Sequence, residues 1–439
     1  MVILGIKIDN FSKSEILAKI SEFLRLGAGH FITTPNPEML VDVEYDWFFK
    51  QALNKAEMAV ADGFGLPLAA RYLYGEKLTR WAGIDLMEKI CEIAAEQKKS
   101  VYLIGGKEGI AAKAAEKLQK KFFGLKVVGA ESGIVFECHP ERSEGSLHTN
   151  ILKDSSPRLD WAQNDNGEYL TGLNFNVAEN NKLLERIRAA TPDILFVAFG
   201  HGKQEKWLAE FLSQLPLVKI GMGVGGAFDY ISGQVLRAPK FVRQLGFEWL
   251  WRLLNQPWRI KRIWKAVVSF GLLVKDYKIQ IAMPYRQGVI GFIVNREGKF
   301  FIAKRCPMPT DSYFFNIEHW QPPQGGISVD ETAEQAILKE VREETGMTAE
   351  IVARCVDVCK YDWSIAFMKK KGKGYHFRGQ QKSVFLLKYN GDGSDIKVDK
   401  IELCGYRWVD LEELKKIIHP MRRPSLEILL NEIKFRDIL

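Results

Sequence analysis

Residues 333–344 give one face of a helix two conflicting properties. Ala333, Ala336, Ile337, Glu340, Val341 and Glu344 recur at three- and four-residue spacing, the interval that brings side chains to one side of an α-helix. The stripe starts apolar and ends acidic, with Glu343 beside it. Carboxylates on an inward-leaning face repel one another and resist leaving water. Such a face resists desolvation unless a cation neutralises it, and oxygen-only donors suit Mg2+ or Mn2+. An ordinary solvated acidic helix would carry its glutamates opposite the apolar stripe.

This helix is a small part of a chain of 439 residues, too long for one ordinary core. With 46% hydrophobic and 26% charged residues the chain is globular and not disordered. The net charge of +8 suits anionic partners such as nucleotides, nucleic acid or anionic lipid without choosing among them. Six dispersed cysteines form no CxxC pair, which excludes a secreted disulfide scaffold and fits a reducing cytoplasm. Cys355 and Cys359 lack His or Cys partners at zinc-ligand spacing. The opening MVILGIKID has no basic leader or cleavage site and reads as a first strand. The longest apolar run, 266–274, is about half the ~18 residues a span needs. The expectation is a soluble or peripheral protein.

Along the chain, HFITT, VYLIGG, KVVGAES, ILFVAFG and VKIGMGVGG read as buried strands, with helical patterns between them at 84–97 and 111–122. This alternation predicts an open, mostly parallel sheet of Rossmann-like type. Over 136–177 the rhythm fails in a run rich in Ser, Asn, Asp, Gly and charge. Its HPERSEGS resembles peptides encoded by dispersed repeats inserted into bacterial genes, and it reads as a solvated, disordered insertion in which His139 is not catalytic. From 237 to 265 eight basic residues meet one acid, Glu248, and six aromatics, four of them tryptophan. That composition reads as a helical appendage over 237–280, suited to a membrane interface. A new α/β region then opens at PYRQGV. The domains expected are therefore 1–236, 237–280 and 284–439.

The acidic helix lies within GGISVDETAEQAILKEVREETGM. This segment resembles the Nudix box, G-x5-E-x7-R-E-U-x-E-E-x-G-U with U aliphatic. Gly325, Glu331, Glu340, Val341, Glu343, Glu344, Gly346 and Met347 match in register, and Lys339 replaces the arginine. The resemblance implies an α/β/α sandwich and a metal-dependent hydrolase of nucleoside-diphosphate-linked substrates. Glu340, Glu343 and Glu344 are then the ligands of Mg2+ or Mn2+, and Glu343 or Glu344 lies nearest the attacking water. HWQPPQGGI, FRGQQK and ELCGYRWVDLEEL resemble the RNA pyrophosphohydrolase and diadenosine-polyphosphate hydrolase branch. By that likeness Glu402 is a further metal ligand, and Arg286 and Arg305 meet phosphates or nucleotide. The substrate implied is a dinucleoside polyphosphate or an RNA 5′ end. Lysine cannot copy the arginine fork, so the alternative is a domain that senses nucleotides without cleaving them.

The first region carries TPNPEML, ADGFGLPLA, RWAGIDL, LIGGKEG, GHGKQEKW and GVGGAFDYISGQVLRAPKFVRQLGFEWLWRLL. Glycine-rich strand ends in a parallel sheet make a nucleotide cleft, and Asp62 between a strand and glycines is a base or a turn aspartate. In order, these motifs resemble the WecG/TagA/CpsF glycosyltransferases. The resemblance implies inverting, metal-independent transfer of an N-acetylmannosamine-type sugar from a UDP-sugar to a polyprenyl-diphosphate-linked acceptor, at the inner face of the cell membrane. It makes Asp62 the general base and places Thr34 and Asn36 along the reacting sugars. Arg80, Gln204 and Asp229 match further active-site positions. Arg252, Arg259 and Arg262 match a diphosphate clamp, and their spacings of seven and three predict one helix face.

Overall fold

The computed structural model describes residues 1–27, 29–134, 173, 175–244, 248–306, 319–371, 376–398 and 401–436. The chain divides into two units, the first ending at Lys278 and the second beginning at Ile279.

In the first unit a two-stranded hairpin comes first, β1 (Val2–Ile3) and β2 (Ile6–Lys7). The opening segment is thus not a strand of the main sheet. Leu4 and Gly5 both take positive φ, 50° and 75°, and turn the chain back after two residues. The main sheet holds β3 (His30–Thr33), β4 (Met58–Ala59), β5 (Ser100–Gly105), β6 (Lys126–Glu131), β7 (Ile194–Ala198) and β8 (Ile220–Gly223). Its order is β4-β3-β8-β7-β5-β6 and every pairing is parallel.

Alternate residues of each strand enter different cores, as the pleat requires. Val101 and Leu103 join helices Lys13–Arg25, Gly83–Glu96 and Ile110–Lys121 on one face. Tyr102 and Ile104 join helices Val177–Ala190 and Lys203–Phe211 on the other. Both faces are covered, so the strands read as unbroken apolar runs. Most of the insertion expected over 136–177 lies outside the described residues, His139 included. Its end does not fit that reading: Leu173 and Phe175 are buried in the same core cluster as Ile134 and Leu183.

The basic-aromatic segment is not one helix, and the single-face argument for its arginines fails. It forms Lys240–Gln244, Glu248–Asn255, a 3-10 turn Pro257–Arg259, Ile260–Trp264, a π turn Lys265–Ser269 and helix Phe270–Ile281. Gln256 takes φ −140° and ψ 71°, because the residue before a proline is pushed out of the helical region. Arg252 therefore stands on a different helix from Arg262. No helix among the described residues is long and apolar enough to cross a membrane.

The second unit holds β9 (Tyr285–Val294), β10 (Phe300–Arg305), β11 (Trp320–Gln321), β12 (Gln324–Gly326), β13 (Ala349–Asp362), β14 (Gly379–Tyr389) and β15 (Leu403–Val409). They pair in the order β11-β10-β9-β14-β13, with β12 on β9 and β15 on β10. Among the described strands of this sheet, β9 and β14 are the pair that runs parallel. Ala336, Ile337 and Val341 of helix Ala333–Thr345 cover one face with Val289, Ile293 and Phe385. Leu414, Leu426 and Leu429 cover the other with Phe292, Val384 and Leu386. This is the expected α/β/α sandwich. Cys355 and Cys359 lie in the second, apolar cluster. Thr332 and Gln335 close a capping box at the start of helix Ala333–Thr345. Gly346 ends it at φ 76°. A Cβ there would lie 2.6 Å from the Asp395 carbonyl oxygen, so glycine is needed at that position.

Candidate active sites

The candidate site residues of the first unit lie past the carboxyl ends of its strands. β4 is followed by Asp62, whose N–H donates to the Pro35 carbonyl at 2.8 Å. Its Oδ1 accepts from the Gly63 N–H at 2.6 Å and its Oδ2 from the Gly83 N–H at 3.3 Å. Gly83 opens helix Gly83–Glu96, so the positive end of that helix faces the carboxylate. A Cβ on Gly83 would lie 3.0 Å from Thr34 Oγ1 and 3.7 Å from Asp62 Oδ2. Thr34 and Asp62 thus border one glycine, and a side chain there would fill the space between them. Arg80 bridges to Ala61 through its backbone and lays its guanidinium over Phe64, 4.0 Å from the ring centre.

The remaining positions act as braces. Asn36 caps helix Pro37–Asp42, its Oδ1 accepting from the Met39 N–H at 3.0 Å. Buried Gln204 accepts from the Gly225 N–H at 2.9 Å and donates to Glu205 at 2.7 Å. A Cβ on Gly226 would lie 3.7 Å from Asp229 Oδ2, so Gln204 and Asp229 flank the turn that follows β8. Arg262 does not stand free as a clamp: it pairs with Glu38. The side chains of Arg252 and Arg259 lie outside the described residues.

Sequence reasoning missed Asp85, although RWAGIDL contains it. Arg237 grips Asp85 with both arms at 2.6 and 2.9 Å, and Arg243 adds a contact at 3.5 Å. Arg237, Arg243 and Arg80 together hold the Asp85 carboxyl below its ordinary value against the cost of burial. The available signal was an acid in the first turn of a motif helix, followed by two arginines in a later motif.

In the second unit the helix face is as the spacing predicts. Glu344 is buried, Glu340 half-buried and Glu343 exposed. The Glu340 carboxylate lies directly against Gly325, where a Cβ would stand 1.7 Å from Oε1. The box glycine thus makes room for the box glutamate. Glu344 is pushed up to about 8 by burial and by the charges of Glu340 and Glu402. Glu340 is raised by burial, then by Glu343, Glu402 and Glu331. Glu402 is itself exposed, yet it acts on both inward glutamates. Lys339 keeps an ion pair with the first box glutamate, Nζ to Glu331 Oε1 at 3.8 Å, but as a long single contact and not a fork.

The donor chemistry fits a divalent cation. Glu344 Oε2 is buried without a hydrogen-bond partner among the described residues, and its nearest charged neighbours include two acids. A buried oxygen of this kind needs a cation or a proton. The acids are not drawn into a closed cage: among the described residues no three His, Cys, Asp or Glu converge on one point. Replacing Gly325 by Ala is expected to leave folding intact, because the atom it meets is the end of a flexible side chain. It should weaken Mg2+ affinity about 10- to 100-fold, as titration of metal-dependent activity would show.

Arg286 places its guanidinium over Gly326, where a Cβ would lie 2.8 Å from Nη2. Arg305 acts electrostatically on His319 and His419, two rings stacked 3.8 Å apart. Burial holds both neutral, His319 at about 3. Sequence reasoning missed the buried polar group behind the glutamates. Lys382, His419 and Arg422 belong to it, and Lys382 donates to the half-buried Gln324 at its margin. Burial, then Arg422, lowers Lys382 well below its ordinary value. The signal lay in FRGQQKSVFLL, a buried strand with polar residues at its start.

Each unit is the framework of an enzyme: one a doubly wound sheet with its groups at the strand ends, the other a sandwich with an acidic helix. The chain matches the WecG/TagA/CpsF glycosyl transferase family over residues 1–159 and 148–282, and the NUDIX domain over 284–429. It belongs to the WecG/TagA/CpsF glycosyl transferase family and joins to that domain a C-terminal Nudix hydrolase domain. Among its relatives is the N-acetylglucosaminyldiphosphoundecaprenol N-acetyl-beta-D-mannosaminyltransferase of Bacillus spizizenii. The two are 26% identical over 285 residues, 64% of this chain and 94% of that protein. The protein so named in Bacillus subtilis is 26% identical over 235 residues, 54% of this chain and 75% of the relative.

Two solved structures are similar to the C-terminal part. One is a Caenorhabditis elegans Ap4A hydrolase binary complex, at 19% identity, 34% of this chain, 98% of that chain and a TM-score of 0.26. The other is the MutT protein of Methanosarcina mazei, at 22%, 35%, 98% and 0.26.

Proposed function

We propose that the first domain transfers an N-acetylmannosamine-type sugar from a UDP-sugar to a polyprenyl-diphosphate-linked acceptor, with inversion, as a step in building a cell-wall or surface polysaccharide. The observation that carries this reading is the shared border of Thr34 Oγ1 and Asp62 Oδ2 at Gly83. Asp62 accepts the proton of the acceptor hydroxyl, whose oxygen attacks the anomeric carbon from the face opposite the UDP. Thr34 and Asn36 line the reacting sugars, with Arg80, Gln204 and Asp229 around them. The arginines of the appendage, Arg252, Arg259 and Arg262, receive the diphosphate that departs. Two similarly named relatives support the sugar and the lipid acceptor. Such an acceptor places the protein on the cytoplasmic membrane surface. Exposed Trp258, Trp264 and Leu254 among the appendage's basic residues suit that interface.

The Nudix domain, on this proposal, hydrolyses a nucleoside-diphosphate-linked substrate, either a dinucleoside polyphosphate or an RNA 5′ end. A divalent cation held by Glu340, Glu343, Glu344 and Glu402 would stabilise charge on the phosphoryl oxygens and activate the attacking water. Arg286 and Arg305 hold phosphates or nucleotide, and the buried Glu344 carboxylate excludes bulk water from its own side of the site.

The two halves separate by chelation. Removing divalent ions from the full chain is expected to abolish hydrolysis of diadenosine tetraphosphate or triphosphorylated RNA and leave sugar transfer unchanged, in parallel assays of one preparation. Transfer lost with the metal would overturn metal-independent catalysis. Nucleotide binding without cleavage, at saturating Mg2+, would replace the hydrolase by the sensing module.

A further inference from the structure

Helix Pro37–Asp42, capped by Asn36 at the end of β3, presents two carboxylates four residues apart, a spacing that puts both on one side. Glu38 takes the Arg262 guanidinium by two arms, Nε at 2.7 Å and Nη2 at 3.2 Å. Asp42 takes Lys265 Nζ and, at 2.7 Å, His201 Nε2. His201 is the junction: its Nδ1 lies 3.9 Å from Glu38 Oε1, and its ring stacks on Phe49 with centroids 5.7 Å apart. Three separate pieces of chain meet here: the Asn36 helix, the turn after β7 and the turns at 260–269. All of them lie at the carboxyl ends of the strands, where Thr34 and Asp62 stand.

The two carboxylates hold their partners differently. The side chains of Asp42, Lys265 and His201 are 29%, 27% and 21% exposed, and Asp42 is bound from two sides. Arg262 is 46% exposed, and its partner among the described residues is Glu38. A two-armed guanidinium grips phosphoryl oxygens with the same fork geometry it uses for a carboxylate. Arg262 can therefore change partner while Lys265 keeps the turns in place.

We propose that Glu38, Asp42 and His201 are positioning residues for the appendage: Asp42 and His201 dock residues 260–269 beside Asn36, and Glu38 occupies the Arg262 fork until a diphosphate displaces it. The proposal rests on reading this unit as a diphosphate-releasing transferase. It adds that the Arg262 fork is held ready by a carboxylate of the chain's own, which competes with the ligand.

The test uses the full chain, with UDP and inorganic pyrophosphate as probes. Calorimetry gives their affinity, and hydrogen exchange over 257–269 reports docking. Glu38→Gln removes the competitor and should tighten UDP binding about 2- to 5-fold, the reach of one partly exposed ion pair. Glu38→Asp should restore the parent affinity. Asp42→Asn and Lys265→Gln should each speed exchange over 257–269 and raise the KM for donor with little change in kcat. The two variants approach the contact from opposite sides, so a folding defect in one does not decide the result. Weaker or unchanged UDP binding in Glu38→Gln, or unchanged exchange in both docking variants, would overturn the proposal. A chain that shows the predicted exchange with UDP and transfers no sugar would retain the docking scheme and remove the transferase reading.

Discussion

Asp62→Asn is expected to lower the rate of sugar transfer by about 10²- to 10⁴-fold, the contribution of a well-placed proton acceptor. The donor KM should move little, because the substitution leaves the arginines and the Gln204 brace untouched. Folding should also survive. The amide oxygen of asparagine can accept from the Gly83 N–H as Asp62 Oδ2 does at 3.3 Å, so the first turn of helix Gly83–Glu96 keeps its partner. Steady-state transfer with thermal melting checks both halves. A variant that melts normally and transfers sugar at the parent rate would reduce Asp62 to a helix-capping residue.

The second large effect is on stability, and its sign is opposite to that of most carboxylates. The folded-state value of Glu344 is about 8, above the ordinary 4.5. Between those values the folded domain holds a proton that the unfolded chain has released. Stability therefore falls as pH rises from about 4.5 to about 8, and is highest below that window. In metal-free protein the loss should amount to roughly 2–4 kcal/mol, at up to ~1.4 kcal/mol per pH unit across that window. Glu344→Gln should flatten this pH dependence, raise the melting temperature of the Nudix transition at pH 8 and abolish hydrolysis. Mg2+ should stabilise the parent more at pH 8 than at pH 6, since at the lower pH it must first displace a proton. Melting curves at four pH values, with and without Mg2+, decide the matter. A variant no more stable than its parent at pH 8 would show that Glu344 is not held against its charge.

The sequence was most informative where one periodicity carried both packing and chemistry. Helix Ala333–Thr345 is the clearest case: its spacing specified both burial and acidity. The parallel strands were legible because covered sheets leave unbroken apolar runs, and SVYLIG and ILFVA stand out in any reading. β4 was not, since Met58–Ala59 is too short to show a pattern. Without the family resemblance, Asp62 stood out only as an acid among glycines. That Thr34 faces it across Gly83 depends on β3 and β4 lying side by side, a long-range pairing that no local spacing encodes. The arginine face over 252–262 failed for a local reason: Pro257 was in view, and its effect on Gln256 breaks the helix that the spacing assumed. Lys382 and Arg422 went unnoticed because their partners, Gln324 and Tyr361, lie 58 and 61 residues away in sequence.

β6 is the edge strand farthest along the sheet from β4, the strand that delivers Asp62. Ile134, shortly after β6, and Leu173 belong to one core cluster. That packing lies five strand positions from β4, at the opposite margin of the sheet from the β3–β4 pairing that sets Thr34 near Asp62. A substitution that loosens Ile134 or Leu173 therefore works on the far margin and leaves the geometry of the base to its own neighbours.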